Sequence, residues 1–412
     1  MRRATSAAVH VAEPTDPVVD IEGIAHGGHC IAHLDGQVVF VRHTLPGERV
    51  RIRITERTKR FLRADAVEVI TAAPGRVTPP CRYAGECGGC DFQHISPEAQ
   101  RGLLGDVVRE QLRHLAGIDW VGEVEAVHPD DLGWRTRMTY AVRHDGHLGL
   151  RRHRSHDVIA IDECVIASDR LPAVLGQAWK ADTVEAVGSS EGDQLVVLDG
   201  NRGKIPKLPG VSIVTAEGER LRGKASVTER VGEHAFRVSG SGFWQVHPEA
   251  ASTLVDAVMT GLDVRQGDRV ADLYAGVGLF TAFLAEAVGE TGAVYSVESD
   301  PGGSRDARRN LHTHAQVTLV GEAVETALQD GALGDSLDLV VLDPPRTGAK
   351  QAVGPIAALR PRAIAYVACD PAALARDLAS FAELGYRPTS IRSFDLFPMT
   401  QHVECVAVLV RD

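Results

Sequence analysis

Between residues 16 and 72 short apolar runs alternate with glycine-bearing turns: Val18-Val19-Asp20-Ile21, Val38-Val39-Phe40-Val41 and Val50-Arg51-Ile52-Arg53-Ile54, broken at Gly27-Gly28 and Pro46-Gly47. The two-residue period predicts strands, with arginines on one face of the last run and aliphatics on the other, which suits a small OB-like β-barrel. Residues 1–15 show no such period and are expected to be a flexible N-terminus. After a proline-rich linker at 73–80, Ser96-Pro97-Glu98 predicts a capped helix with Leu104, Val107, Val108, Leu112 and Leu115 as its apolar stripe and Gly117 as its end. From Val121 to Val238 the pattern is mostly β, with a hairpin at His144-Asp145-Gly146-His147. Beyond Gly240, strand-length apolar runs alternate with helix-length segments, the rhythm of a parallel α/β sheet. The domains expected are thus a barrel at 16–72, a central region at 73–238 and an α/β domain at 239–412.

Length agrees, since 412 residues exceed one ordinary core. There is no apolar segment of signal-peptide type near the start and no run of about 18 apolar residues, so a cytoplasmic protein without membrane contact is expected. The net charge of -11 is unevenly spread. Residues 42–63 hold eight Arg and Lys against Glu48 and Glu56, residues 135–156 hold six arginines against Asp145, and residues 240–412 hold 13 basic against 22 acidic residues. Basic modules feeding an acidic body fit an RNA partner held by its phosphates; an ordinary solvated charge pattern is the competing view.

Within the α/β region, Arg269 to Phe280 reads as a strand, a glycine turn at Gly276 and Gly278, and the start of a helix. Glu298 ends the next strand, where a carboxylate can accept both hydroxyls of a ribose. Thr281 takes the place of the third glycine of a dinucleotide fingerprint, and Asp272 would repel a pyrophosphate. S-adenosylmethionine therefore suits the turn better than NAD. The run Leu337 to Leu342 leads into Asp343-Pro344-Pro345-Arg346, and Ala363 to Val367 leads into Ala368-Cys369-Asp370-Pro371. Asp272, Glu298, Asp343 and Cys369 are expected at one carboxyl edge, the ligand-binding edge of such sheets. A thiol displayed there suggests a nucleophile.

The seven cysteines do not suggest a disulfide framework in a chain of this size without a secretory signal. Cys81, Cys87 and Cys90, with distant Cys164, supply four thiolates, a set that suits tetrahedral zinc or an iron-sulfur cluster equally by spacing. Cys30 and Cys405 are read as core packing.

Taken together, Asp-Leu-Tyr-Ala-Gly-Val-Gly at 272–278, Asp-Pro-Pro-Arg-x-Gly at 343–348, Cys-Asp-Pro at 369–371 and Phe397-Pro398-Met399-Thr400-Gln401-His402-Val403-Glu404 resemble the RNA uracil-5 methyltransferase family. Phe243-Trp244-Gln245-Val246, the cysteine cluster and a TRAM-like barrel extend the resemblance over nearly the whole chain. It implies a Rossmann-like class I methyltransferase domain acting on uridine in ribosomal RNA or tRNA. It further implies Cys369 as the nucleophile that adds to the pyrimidine, Glu404 as the base, Gln245, Tyr274, Glu298 and Asp343 as the shell around S-adenosylmethionine, and a 4Fe-4S cluster on Cys81, Cys87, Cys90 and Cys164. No obligate protein partner is evident.

The chain departs from the family pattern at Leu279 and Asp370, where asparagines are usual, and at Ala275 and Ala323. A carboxylate at Asp370 should raise the neighbouring thiol unless a cation offsets it. An RNA-binding protein with impaired turnover, or a methyltransferase for another acceptor, are the alternatives these departures raise.

Overall fold

The computed structural model describes residues 15–412; residues 1–14, and with them nearly all of the segment read as a flexible N-terminus, lie outside the described residues. Among the described residues four β sheets are formed, the last of them layered with helices.

Val18–Asp20, Gly23–Ile24, Cys30–Leu34, Gln37–Arg42, Arg49–Arg57 and Phe61–Thr71 form one six-stranded sheet. Val50 and Ile52 are fully buried while Arg51 and Arg53 face outward, the consequence of strict alternation. A helix, Pro97–Ala116, follows, with Ser96 accepting from the Ala99 N–H and Gly117 closing it in the left-handed region at φ 66°. Next comes a seven-stranded sheet that includes the antiparallel hairpin Arg137–Val142 and Leu148–Arg151. The hairpin Ser226–Val231 and His234–Ser239 leaves that sheet and packs on the helix Pro301–Asn310, where the Asp306 carboxylate accepts from Ser239 N at 2.6 Å and the Asn310 side-chain oxygen from Arg237 N at 2.9 Å.

The last sheet runs in the spatial order Val317–Val320, Ala293–Val297, Arg269–Leu273, Leu339–Leu342, Ala363–Ala368, Glu404–Arg411, Tyr386–Asp395 and Val124–Ala126. Its first five strands are parallel; Glu404–Arg411 is antiparallel to both neighbours. Leu339–Leu342 and Ala363–Ala368 are buried at every position, as parallel strands covered on both faces must be. The chain order reverses between Arg269–Leu273 and Leu339–Leu342, which opens a crevice at their carboxyl ends. Among the described residues no helix is long and apolar enough to cross a membrane.

Candidate active site

A cavity of about 760 Å³ occupies that crevice. Tyr274 and Gly276 follow the strand Arg269–Leu273, Glu298 follows Ala293–Val297, Asp343 follows Leu339–Leu342 and Cys369 follows Ala363–Ala368, and all of them line it. Glu404 is the first residue of a strand running the other way, so it reaches the same edge. Gln245 enters from the segment ahead of the helix Ala250–Leu262. The structure therefore brings together Cys369, Glu404, Gln245, Tyr274, Glu298 and Asp343.

On one side of the cavity the backbone is shaped to admit a ligand. Gly276 and Gly278 have φ of 57° and 90°, and Tyr274, a non-glycine, is held at φ 62°, a conformation kept only where the surroundings enforce it. Glu298 Oε2 accepts from Gly276 N at 2.8 Å and Oε1 from Asp300 N at 2.5 Å, which fixes the carboxylate against the glycine turn. A Cβ at Gly303 would lie 3.1 Å from Glu298 Cγ and 3.2 Å from Gly276 O, so a side chain there would press on the carboxylate and the glycine turn. The Tyr274 hydroxyl donates to Glu325 at 3.1 Å.

Asp272 does not join them. It is buried one position before the strand end, accepts from Thr281 Oγ1 at 2.5 Å, and its other oxygen has no partner. Burial pushes its carboxyl up to about 7, so it is not the exposed charge at the ligand edge that the sequence suggested.

On the other side, burial and the Glu404 carboxylate push the Cys369 thiol up to about 11, and the neighbouring Arg346 guanidinium opposes them. Glu404 is almost fully buried; burial and Asp343 raise it well above the carboxylate range, again against Arg346. His402 is kept down to about 4 by burial and by Arg346, so it is neutral at ordinary pH. Asp370 is turned to other partners: Oδ1 accepts from Ala373 N at 2.7 Å, capping the helix Pro371–Glu383, and Oδ2 lies 3.1 Å from His26 Nε2. Burial disfavours its charge, but the His26 and Ala373 hydrogen bonds outweigh that and hold its carboxyl below the usual range. The partner that can offset this carboxylate is thus His26, in a turn of the N-terminal sheet, whose imidazole is raised chiefly by the Asp370 hydrogen bond.

Arg346, His402, Phe243 and Arg135 also line the cavity. The first three stand inside the motifs that point to the site, without a role assigned from sequence; Arg135 had no local signal beyond its basic stretch. Cys405 is fully buried, 3.4 Å from Ser393 Oγ, and Cys30 is buried beneath the N-terminal sheet, as expected of packing thiols.

Cys81, Cys87, Cys90 and Cys164 border a second cavity of about 150 Å³, with Tyr83, Gln93 and Arg135 among its walls. Among the described residues no three His, Cys, Asp or Glu side chains converge as closely as a single ion requires. Cys90 directly precedes Asp91 and Phe92, whose N–H groups donate to Met399 O at 3.0 and 2.9 Å, inside the loop that leads to Glu404.

The basic face of the N-terminal sheet is more neutral than its residue count. Arg42, Arg49, Arg51, Arg53 and Arg63 pair with Asp65, Asp20, Glu68, Asp16 and Glu56. Arg57, Lys59 and Arg60 are exposed and make no ion pair among the described residues.

A doubly wound sheet with a glycine turn after its first strand, a carboxylate after the second, Asp-Pro-Pro after the fourth and a thiol after the fifth defines a class I S-adenosylmethionine-dependent methyltransferase. Comparison with known proteins narrows the class. Residues 18–67 match the TRAM domain and residues 324–412 match tRNA (Uracil-5-)-methyltransferase, while residues 245–336 match protein-L-isoaspartate(D-aspartate) O-methyltransferase. An uncharacterized RNA methyltransferase of Streptomyces avermitilis is 48% identical over 95% of this chain and 97% of its own length. A 23S rRNA (uracil(1939)-C(5))-methyltransferase of Alkalilimnicola ehrlichii is 34% identical over 97% of this chain and 98% of its own. The solved tRNA (uracil-54, C5)-methyltransferase of Pyrococcus abyssi, bound to S-adenosyl-L-homocysteine, shares the fold with a TM-score of 0.73 at 24% identity, over 95% of this chain and 99% of its own. The chain belongs to the RNA uracil-5 methyltransferase family. Its fold class is the one expected from the apolar pattern and the resemblance.

Proposed function

We propose that this protein methylates carbon 5 of a uridine in ribosomal RNA or tRNA in the cytoplasm, with Cys369 as nucleophile and Glu404 as base. The observation that supports it most is that a thiol and a buried carboxylate open into the same cavity as the glycine turn and Glu298. Glu298, Tyr274, Gln245 and Asp343 would hold S-adenosylmethionine, which when bound supplies an electrophilic methyl group on a sulfonium. The Cys369 thiolate adds to carbon 6 of the uracil, forming a carbon-sulfur bond and making carbon 5 nucleophilic. Arg346 beside the sulfur favours the thiolate. Once carbon 5 bears the methyl group, Glu404 takes its proton, the carbon-sulfur bond breaks with its electron pair returning to sulfur, and the ring double bond is restored. Burial raises the Glu404 carboxyl, which makes its carboxylate a stronger proton acceptor than an exposed one. Such an edge pocket takes a base only after it leaves its stack.

Leu279 turns into the core and Asp370 is engaged by His26, which supports turnover over a merely RNA-binding role. Exposed Arg57, Lys59 and Arg60, with Arg151 and Arg154 of the central hairpin, are proposed to hold phosphates.

Cys81, Cys87, Cys90 and Cys164 are proposed to hold a 4Fe-4S cluster, which fits thiols set around a cavity better than zinc does. Through Asp91 and Phe92 it would steady the Met399 loop. Anaerobically purified protein should contain about four irons per chain; one zinc and no iron would refute this. The activity itself is tested by methyl transfer from labelled cofactor to ribosomal RNA and tRNA from cells lacking the protein. Transfer to uridine carbon 5 is expected, together with its loss in Cys369→Ala; full transfer by that variant would overturn the covalent route.

A further inference from the structure

The turn at residues 26–28 of the N-terminal sheet reaches the catalytic loops. His26 Nε2 lies 3.1 Å from Asp370 Oδ2, although the two residues are 344 positions apart. Beside it, Gly28 is at φ +77°, and a Cβ built there would come within 2.7 Å of Gln401 Cβ; the Cβ of Gly27 would lie 3.6 Å from Gln401 Oε1. One turn therefore touches both the residue after Cys369 and the loop three residues before Glu404.

We infer that His26 is a positioning residue for the reaction: by pairing with Asp370 it holds that carboxylate at the start of the catalytic helix and compensates its charge beside Cys369. The inference rests on Cys369 being the nucleophile. Asp370 has two possible dispositions. Free, its charge would lie one residue from a thiol that must ionise, and like charges oppose that ionisation. Held by His26 and by the Ala373 N–H, it is directed into the cap and partly neutralised. The first disposition is what removal of His26 would permit.

The groups facing His26 are Asp370 and Arg376 on the helix Pro371–Glu383, Glu110 on the helix Pro97–Ala116, and His402 in the loop before Glu404. The Asp370 hydrogen bond is the largest influence and raises His26; burial and Arg376 act against it. The charged pair is thus complete above the lowered Asp370 value and is lost as pH rises through the raised histidine value, while a neutral His26 can still donate its hydrogen bond. With side chains 41% and 24% exposed, the pair is too solvated to matter much for global stability, so its effect should be read at the thiol.

The test uses the full-length protein, kept anaerobic and free of RNA. The rate at which iodoacetamide alkylates Cys369 is followed across pH by mass spectrometry of the peptide that contains it. His26→Ala should slow alkylation roughly threefold near neutrality, the effect of about half a pKa unit, and adding Asp370→Asn to His26→Ala should restore the rate. Protection of buried Cys405 in the same digests reports that the fold persists. An unchanged rate in His26→Ala, or no restoration by Asp370→Asn, would overturn the inference and assign the turn to packing alone. Neither outcome touches the methylation assay, in which Cys369→Ala decides separately whether the thiol is the nucleophile.

Discussion

Two carboxylates near the Phe397 to Val403 loop show how burial dominates behaviour at the residue scale. Glu404 is raised at the cavity where it is proposed to act as a base. Asp395, at the end of the strand before the Phe397 to Val403 loop, is buried and pushed up to about 7 by that burial, against the pull of Arg101 and of the Phe397 backbone N–H. Because the folded form binds a proton that the unfolded chain has already released, stability should fall as pH rises from about 4 to about 7 and stay lower above that. Asp395→Asn should therefore stabilise the fold at about pH 8 by on the order of 2 kcal/mol, read as a higher melting temperature, and change little near pH 4. Thermal unfolding at both values checks this, and equal effects at the two would contradict it. The convergence of Cys369 and Glu404 on one cavity was legible in the sequence because each stands in a dense local motif at a strand end. His26 was not, since nothing near it in sequence marks a partner 344 positions away. Asp272 was misread for a smaller reason: one position short of the strand end, it stays inside the sheet.

Elements with a clear period or cap were readable in advance. The helix opened by Ser96 and closed by Gly117 is present, as is the hairpin around Asp145-Gly146. Val124–Ala126 was not foreseeable as the edge strand beside Tyr386–Asp395, because three residues carry no period and the partner is distant in sequence. Contact between elements predicts a specific weakness at the 26–28 turn. Gly28→Ala adds strain at positive φ and a clash with Gln401, whose neighbours lead to Glu404. Single-turnover methyl transfer should slow several-fold while cofactor affinity, set by the glycine turn and Glu298 across the cavity, stays the same. A weakened cofactor affinity with unaltered transfer would mean that the turn does not bear on the catalytic loop.

For the whole molecule, charge polarity was visible in the sequence, but its effective strength was not. Pairing is a property of the folded sheet: five arginines of the N-terminal module meet carboxylates contributed mostly by other strands. Among the described residues there, Arg57, Lys59 and Arg60 are exposed without an ion pair and are the ones proposed to contact phosphates. Replacing all three with alanine should weaken RNA binding and lower the salt dependence of affinity by about two to three in log-log slope, whereas neutralising the paired Arg49 should change the slope by less than one. Binding titrations over a series of salt concentrations measure both, and equal slopes for the triple variant and the parent would remove that face from the RNA footprint.

The proposed chemistry is that sulfur of Cys369 bonds to the pyrimidine and that Glu404 releases it. Mass spectrometry of Glu404→Gln after incubation with S-adenosylmethionine and unmodified RNA tests it most directly. A methylated nucleotide linked to the peptide bearing Cys369 is predicted to accumulate; free 5-methyluridine formed at the parent rate with no linked peptide would contradict it.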